Sequence, residues 1–576
     1  MRRLKKIALL SGAFIGILVL VVAIIAYVLF DAERYKEAIE TRLSEVTGME
    51  VTIKHLSLGI LRGVAFEGRD IIIRDPRQPN PHVTIDRVSL GLKTRPLLSK
   101  QVIIKRLNFK RPVVQVAIVP GSKVIEIKPL LTKLLRVASQ AIEQGFFLEA
   151  RSMSIQAGRV IFYDGIDHET VLADLRNLKA NLSGLKVRAP TRFALTGQLL
   201  FKGNTMPFSF RGVTNDLPTR FDPALVAIEG TGRMQNVQGQ LAKSYLMPEG
   251  PVQALEGTFD ISTHIRGNLG GSIDAEGDIK FTSLYIDYPK LFKAPLRADE
   301  GTIKYALTFK DDALMVRRFE IASKETAFKG SFMIDHITSG HGRLTGELST
   351  TALSAESIVQ LLPPSASPRV KELVESMKPS GQMEVKHLEA SGPFQTLQSD
   401  EELGPIVTAS ADFVLKNLGL TFGPNIPPFK NWEGEISYNG RDITFLDVGG
   451  QIGDESRIET LNGTIRDIAG ENPTANLTVV THLRASDFGK YIQRWLNRKQ
   501  SPMLSEGTIV RGAVHTDLAL VGPLKSLSNL NVSGVITLDN ISITDPASKL
   551  TVENITGVLR ARGNRIDIEN LTFVSK

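Results

Sequence analysis

Cysteine is absent from all 576 residues. That excludes a disulfide framework and thiol chemistry, and it suits an oxidising compartment, where an unpaired thiol is a liability. Aromatic residues are scarce, at 6%, and no RNA-module or helix-turn-helix pattern is present. The formal charge is +8, but beyond the N-terminus the basic residues are scattered, so a nucleic-acid partner is not expected. The nine histidines are dispersed. His336 and His341 stand closest, five apart on an expected strand and turn. A regular strand would point them to opposite faces, so no metal is expected. No Walker-type lysine loop, Gly-x-Ser-x-Gly elbow or His-Glu-x-x-His occurs. Gly449, Gly450 and Gly453 follow a strand but open no helix, which makes them a hairpin turn and not a phosphate loop. The Asn-x-Ser/Thr triplets at Asn476, Asn531, Asn540, Asn554 and Asn570 read as strand composition. Nothing here carries a reaction. The chain is not expected to be an enzyme or to need a cofactor.

Long apolar runs are equally scarce, with one exception. Ile7 to Phe30 is 24 residues without a charge, roughly 36 Å as a helix and enough to cross a hydrocarbon core of about 30 Å. Leu29-Phe30-Asp31 offers no small-residue cleavage site, so the run reads as an uncleaved transmembrane anchor. Arg2, Arg3, Lys5 and Lys6 before it keep the N-terminus cytoplasmic and place the body on the far side. Asp31 can cap a helix reaching about Val46, with Gly48 placed to end it.

From Met49 the period changes from helical to two. Strands are expected at Val83 to Leu92, Val102 to Val119, Ile155 to Asp164 and Leu175 to Leu182. Pro129 to Gln144 interrupts them as an amphipathic helix, read as capping a sheet, with a membrane-surface helix as the alternative. A β-rich unit then recurs. Gly257-TFDISTHIR-Gly267 returns at Gly381 to Pro393 and at Gly507 to Pro523, spacings of 124 and 126 residues. A short helix-like stretch precedes each, at Val237 to Leu246, Ser354 to Leu362 and Ala485 to Leu496. A tight hairpin follows each, turning at Asp311-Asp312, Gly440-Arg441 and Gly563-Asn564. Repeats of this kind point to an elongated surface or conduit more than to one catalytic pocket.

In those hairpins Tyr305, Leu307 and Phe309, then Ile436 and Tyr438, then Ile566 and Ile568 share one face. Their neighbours are polar, apart from Ala306. One face of a long antiparallel sheet is therefore apolar and has to be covered. Two sheets could close on it as a sandwich, or one sheet could curl into a lined trough. Alternation leaves both open.

The anchor, the helix and the Val46-TGMEVT-Ile53 turn into the first strand resemble the AsmA-like family of bacterial envelope proteins. Leu107 to Val116 and the Ile155 to Asp164 unit around Gly158 extend the likeness. Trp432 to Tyr438 and Leu461 to Ile465 are similar to repeats of its larger members, the relatives of YhdP and TamB. The resemblance implies a mainly β fold: an elongated, antiparallel, repeating and taco-like β-groove with short interspersed helices, after one N-terminal transmembrane helix. It implies an inner-membrane protein with a periplasmic body that moves phospholipid between inner and outer membranes. On that reading Tyr305, Leu307, Phe309, Ile436, Tyr438, Ile566 and Ile568 line a groove for acyl chains. The partners are then membrane lipids and the inner membrane. An envelope protein is a further expected partner at the C-terminal end, because Lys576 directly follows an expected strand. The alternative is a non-catalytic envelope scaffold or assembly factor for outer-membrane proteins. The expected divisions are a cytoplasmic tip at 1–6, the anchor at 7–30, an AsmA-like region at 31–150 and a groove segment at 151–235. Repeats follow at 236–353, 354–484 and 485–576.

Overall fold

The computed structural model describes residues 36–575 apart from connecting segments, the longest of which are 94–103, 119–149, 217–225, 358–377, 394–407 and 488–507. The expected anchor Ile7–Phe30 and the amphipathic segment Pro129–Gln144 lie outside the described residues. Among the described residues, no helix is long and apolar enough to cross a membrane.

The described residues form 26 strands and few helices. By compactness the chain divides into two units, Met1–Ile286 with Arg297–Arg317, and Asp287–Leu296 with Arg318–Lys576. The first opens with helix α1 (Lys36–Thr47), followed by β1 (Glu50–Gly59), β2 (Ala65–Arg74), β3 (Val83–Leu92) and β4 (Ile104–Ile118). Next come β5 (Ala150–Asp164), β6 (Val171–Leu185), β7 (Pro190–Phe201), β8 (Asn204–Asp216) and β9 (Ala227–Gln238). Helix α2 (Gly239–Leu246) leads into β10 (Ala254–Asn268), β11 (Ile273–Asp287) and β12 (Leu296–Lys310). The division falls inside β13 (Ala313–Ser323).

The second unit runs through β14 (Ala327–Ile334), β15 (Arg343–Thr350), β16 (Leu353–Ser354), β17 (Ser380–Pro393) and β18 (Thr408–Leu420). It continues with β19 (Phe429–Tyr438), β20 (Ile443–Ile452), β21 (Ser456–Arg466) and β22 (Thr474–Arg484). It ends with β23 (Ile509–Pro523), β24 (Asn531–Asp545), β25 (Leu550–Arg562) and β26 (Arg565–Ser575).

Strands adjacent in sequence pair antiparallel through β1–β4 and β5–β10. The same holds for β14–β15, for β15 and β16 against β17, and on through β26. One pair corrects the expectation of a purely antiparallel sheet. β4 and β5 are parallel, with Arg106 opposite Ser152 and Ile118 opposite Asp164. A parallel pair needs a crossover of a dozen or more residues, and the 31 residues from 119 to 149 supply it.

Helix α1 closes the outer edge of β1. The Val51 N–H donates to Ser44 Oγ at 3.0 Å, and the Ile53 N–H to Glu40 Oε1 at 2.6 Å. The Lys36 ammonium donates to the Lys54 carbonyl at 3.3 Å. Edge groups that would template another strand are thus occupied by the helix's own side chains. Beside it, Ile39, Val51, Ile53, Ile71, Ile73, Val83, Ile85, Leu90, Leu92, Leu107 and Phe109 are all buried. This is ordinary core, and it anchors the start of the sheet.

The strands are bent by bulges that line up from strand to strand. Asp70, Arg111, Ala157 and Asn177 all have positive φ, and the registers place them on one transverse line through β2, β4, β5 and β6. Arg111 reaches across that line to Asp86 at 2.8 Å. In the second unit Asp447 sits at φ +49 opposite Gly434 at φ +130. The Asp447 N–H donates to Asn462 Oδ1 at 2.6 Å, and Asn462 Nδ2 donates back to Asp447 Oδ1 at 3.1 Å. A Cβ on Gly434 would stand 2.5 Å from Val448 Cα, so only glycine admits this approach. Each bulge bends its strand and sharpens its twist.

The expected hairpins form. Asp311 and Asp312 both take positive φ, as a two-residue turn requires. Asn439 Oδ1 accepts from the N–H groups of Arg441 and Asp442, with Tyr438 opposite Ile443. Arg562 faces Arg565 across Gly563 at φ +65. The helix-like stretch expected from Val237 begins later, at Gly239, because Val237 and Gln238 still pair with Phe259 and Thr258.

Candidate functional site

The two faces of the strands differ in kind. On β12, Tyr305 and Leu307 are half-buried on the same face as Phe309, which is 37% exposed. The opposite face is polar: Thr308 Oγ1 donates to Asp274 Oδ1 at 2.5 Å, and Arg317 lies 3.6 Å from the same carboxylate. In the second unit Ile436 packs against a cluster of Ala355, Leu415, Leu418 and Val448. Tyr438 is half-buried opposite the buried Ala411. Ile566 and Ile568 are 59% and 63% exposed. The seven residues expected to line the apolar face therefore fall into three environments: half-covered, packed and bare.

In the second unit the apolar face is longer than Ile436, Tyr438, Ile566 and Ile568. Register places Leu477, Val479, Leu518, Leu520, Ile536 and Leu559 on one side of β22–β25, every one of them half-buried. Its polar members satisfy each other. Thr481 Oγ1 and Thr516 Oγ1 are buried and 2.7 Å apart. In the first unit, Ala173, Phe201, Met206 and Val237 form a buried cluster, with Leu241 of α2 and Phe162 packed against it. The contrast with β1–β4 is physical. There the same kind of side chain is closed over by protein, whereas farther along the chain it is left partly open. Alternation within one strand could not reveal this, because it defines a face and not its cover.

Charge sits on the other face or at strand ends. Asp174, beside the apolar Ala173 but pointing oppositely, accepts from Arg159 at 2.9 and 2.7 Å and from Arg176 at 2.6 Å. Burial alone would raise its carboxyl. The two guanidinium groups more than offset that and hold it below the ordinary value. Asp487 is cradled by the turn from Gly453, accepting from the N–H groups of Asp454, Glu455 and Ser456 at 3.1, 2.8 and 2.7 Å. Burial opposes ionisation there too, and the three N–H groups win. The Ser456 hydroxyl also bonds Asp487, and its oxygen accepts from the Arg484 N–H at 2.8 Å, which makes it part of the turn. No group of three or more His, Asp or Glu side chains able to hold a metal occurs among the described residues.

A chain of bulged meander strands behind a helix-capped start matches known families in the same order. The YhdP protein family matches residues 208–574, and the AsmA family matches residues 1–117. The chain belongs to the YhdP family. It is thereby an AsmA-like protein, as its N-terminal residues suggested. No curated protein matches the sequence. The AsmA match covers α1 and β1 to β3 and most of β4, the region with the closed core, while the YhdP match begins in β8 and takes in the half-open apolar strands. YhdP and AsmA families are families of envelope proteins.

Proposed function

We propose that this YhdP-family chain is an inner-membrane-anchored, periplasmic lipid-transfer protein that carries phospholipid between inner and outer membranes along its apolar strand face. One observation carries the reading: in each unit apolar side chains on one strand face, Tyr305 and Leu307 on β12 and Leu518 and Leu559 on β23 and β25, are only half-buried. Such a face wants an apolar occupant that comes and goes. Moving an acyl chain through water costs about 0.8 kcal/mol per exposed CH₂, so a 16-carbon tail faces on the order of 12 kcal/mol. A strand face that contacts the tail on one side while staying polar on the other removes most of that. The arginines and aspartates on the opposite face keep the carrier in water. No nucleotide or metal chemistry is needed for this. Direction would come from a gradient or a partner.

A photo-crosslinking residue placed at Leu307, and separately at Leu518, in the full-length chain tests the proposal in cells. Labelled phospholipid at both positions is the expected result, with no label from an outward position such as Thr308. Crosslinks to envelope proteins alone, with no lipid, would overturn transfer in favour of the scaffold or assembly role.

A further inference from the structure

The polar face of β22 and β23 carries an arrangement that lipid transfer does not use. His482 and His515 stand directly opposite each other. His482 Nδ1 lies 3.1 Å from His515 Nδ1 and 3.0 Å from His515 Nε2. The rings meet edge to face, 4.2 Å between centroids. His515 is exposed and His482 half-buried, so solvent reaches the pair. The sequence could not show it, because the two histidines are 33 residues apart and meet only through strand register.

We infer that His482 and His515 form a two-imidazole site for a divalent transition-metal ion. Two imidazole nitrogens bound to one ion at about 2.0–2.1 Å, at angles between square-planar and tetrahedral, stand about 2.9–3.4 Å apart. The observed separations fall inside that interval with the strands where they stand, and binding requires the rings to turn until one lone pair from each meets at the ion. Both imidazoles must be neutral, each keeping its proton on the nitrogen that does not ligate. Arg457 of β21 faces His482 across the strands, and Arg484 lies two residues farther along β22. Arg457 is itself held by Glu459 at 2.8 Å, which removes much of its repulsion toward a cation. On the remaining side, Thr537 of β24 faces His515 and carries no charge. Water completes the coordination. Among first-row divalent ions copper(II) binds such nitrogens most strongly, with nickel and zinc below it. The bound ion would tie together the two strands flanking the 485–508 connection, acting as a reversible staple between them.

The test is titration of the full-length chain with copper(II) alone, read by electron paramagnetic resonance, and with zinc alone, read by thermal unfolding. A copper spectrum with two nitrogen ligands is expected, together with an upward shift of the unfolding temperature with zinc. His482→Asn and His515→Asn should each weaken copper binding by about tenfold or more and abolish the zinc shift, while His264→Asn changes neither. The double variant should lose little beyond either single one, since the two rings act as a unit. Binding should fall as pH drops and protons compete for the rings. In the unaltered chain, zinc should protect both histidines from diethyl pyrocarbonate, a readout that needs no variant to fold. Equal copper affinity in the unaltered chain and both single variants, or unprotected histidines at saturating zinc, would overturn the site.

Discussion

Asp174 shows how two arginines can hold a buried carboxylate on a strand. It is 2% exposed, yet Arg159 and Arg176 leave it ionised, and their own outer faces stay in water. Its value in the folded chain is lowered, so its contribution to stability is fully present above the unfolded value, near 3.8. That contribution is lost as pH falls through the lower folded value. Asp174→Asn should therefore destabilise the chain by about 2 kcal/mol at neutral pH, less than a wholly buried pair because both arginines are half-exposed. The loss should shrink toward zero under acid conditions, and denaturant midpoints at pH 7 and pH 3 would check it. Gly434 makes a conformational point instead. Gly434→Ala places a methyl 2.5 Å from Val448 Cα at a φ of +130. A loss of about 2 kcal/mol or more is expected, measured as a fall in unfolding midpoint, while Gly203→Ala, where no atom lies within 4 Å, costs less.

Strands and their turns were largely legible, and bulges and strand partners were not. Val83 to Leu92 was expected residue for residue because alternation, β-branched content and flanking loops agree there. The turn at Asp311-Asp312 was legible for a local reason: its conformation is set by the two residues in it. The bulge at Asp447 depends on Gly434 and Asn462 in two other strands, and no window along the chain contains all three. The parallel β4–β5 pair was hidden for the same reason, since pairing direction is decided by where the 119–149 connection goes. Ser44 and Glu40 lie on α1, and only the placement of β1 beside it makes them partners of its edge. The candidate face followed this pattern as well. Alternation found Leu307 and Ile436, but it could not tell that Ile436 is packed by Leu415 and Val448 while Ile568 is open.

Stability is expected to be unevenly distributed along the chain. Leu90, at 1% exposure, sits in closed core, so Leu90→Ala should cost about 3 kcal/mol. Leu518→Ala, at a half-buried position on β23, should cost about 1 kcal/mol. Denaturation midpoints of the two variants, compared with rates of phospholipid transfer between vesicles, separate fold from function. Leu518→Asp should stop transfer with a smaller midpoint change than Leu90→Asp. If both collapse alike, the apolar strands are core and the carrier reading fails.

The sealed start of the sheet has a consequence for growth. With the first part of the outer side of β1 occupied by α1 through Val51, Ile53 and Lys54, backbone pairing is favoured away from it. During synthesis this closed end leaves the ribosome first, so the nascent sheet is protected against end-to-end polymerisation before its later strands exist. Over evolutionary time the same asymmetry would let repeat modules be gained or lost downstream while the founding edge stays untouched. Relatives of different length would then be expected to share the helix-capped beginning and to differ in how many strand units follow it.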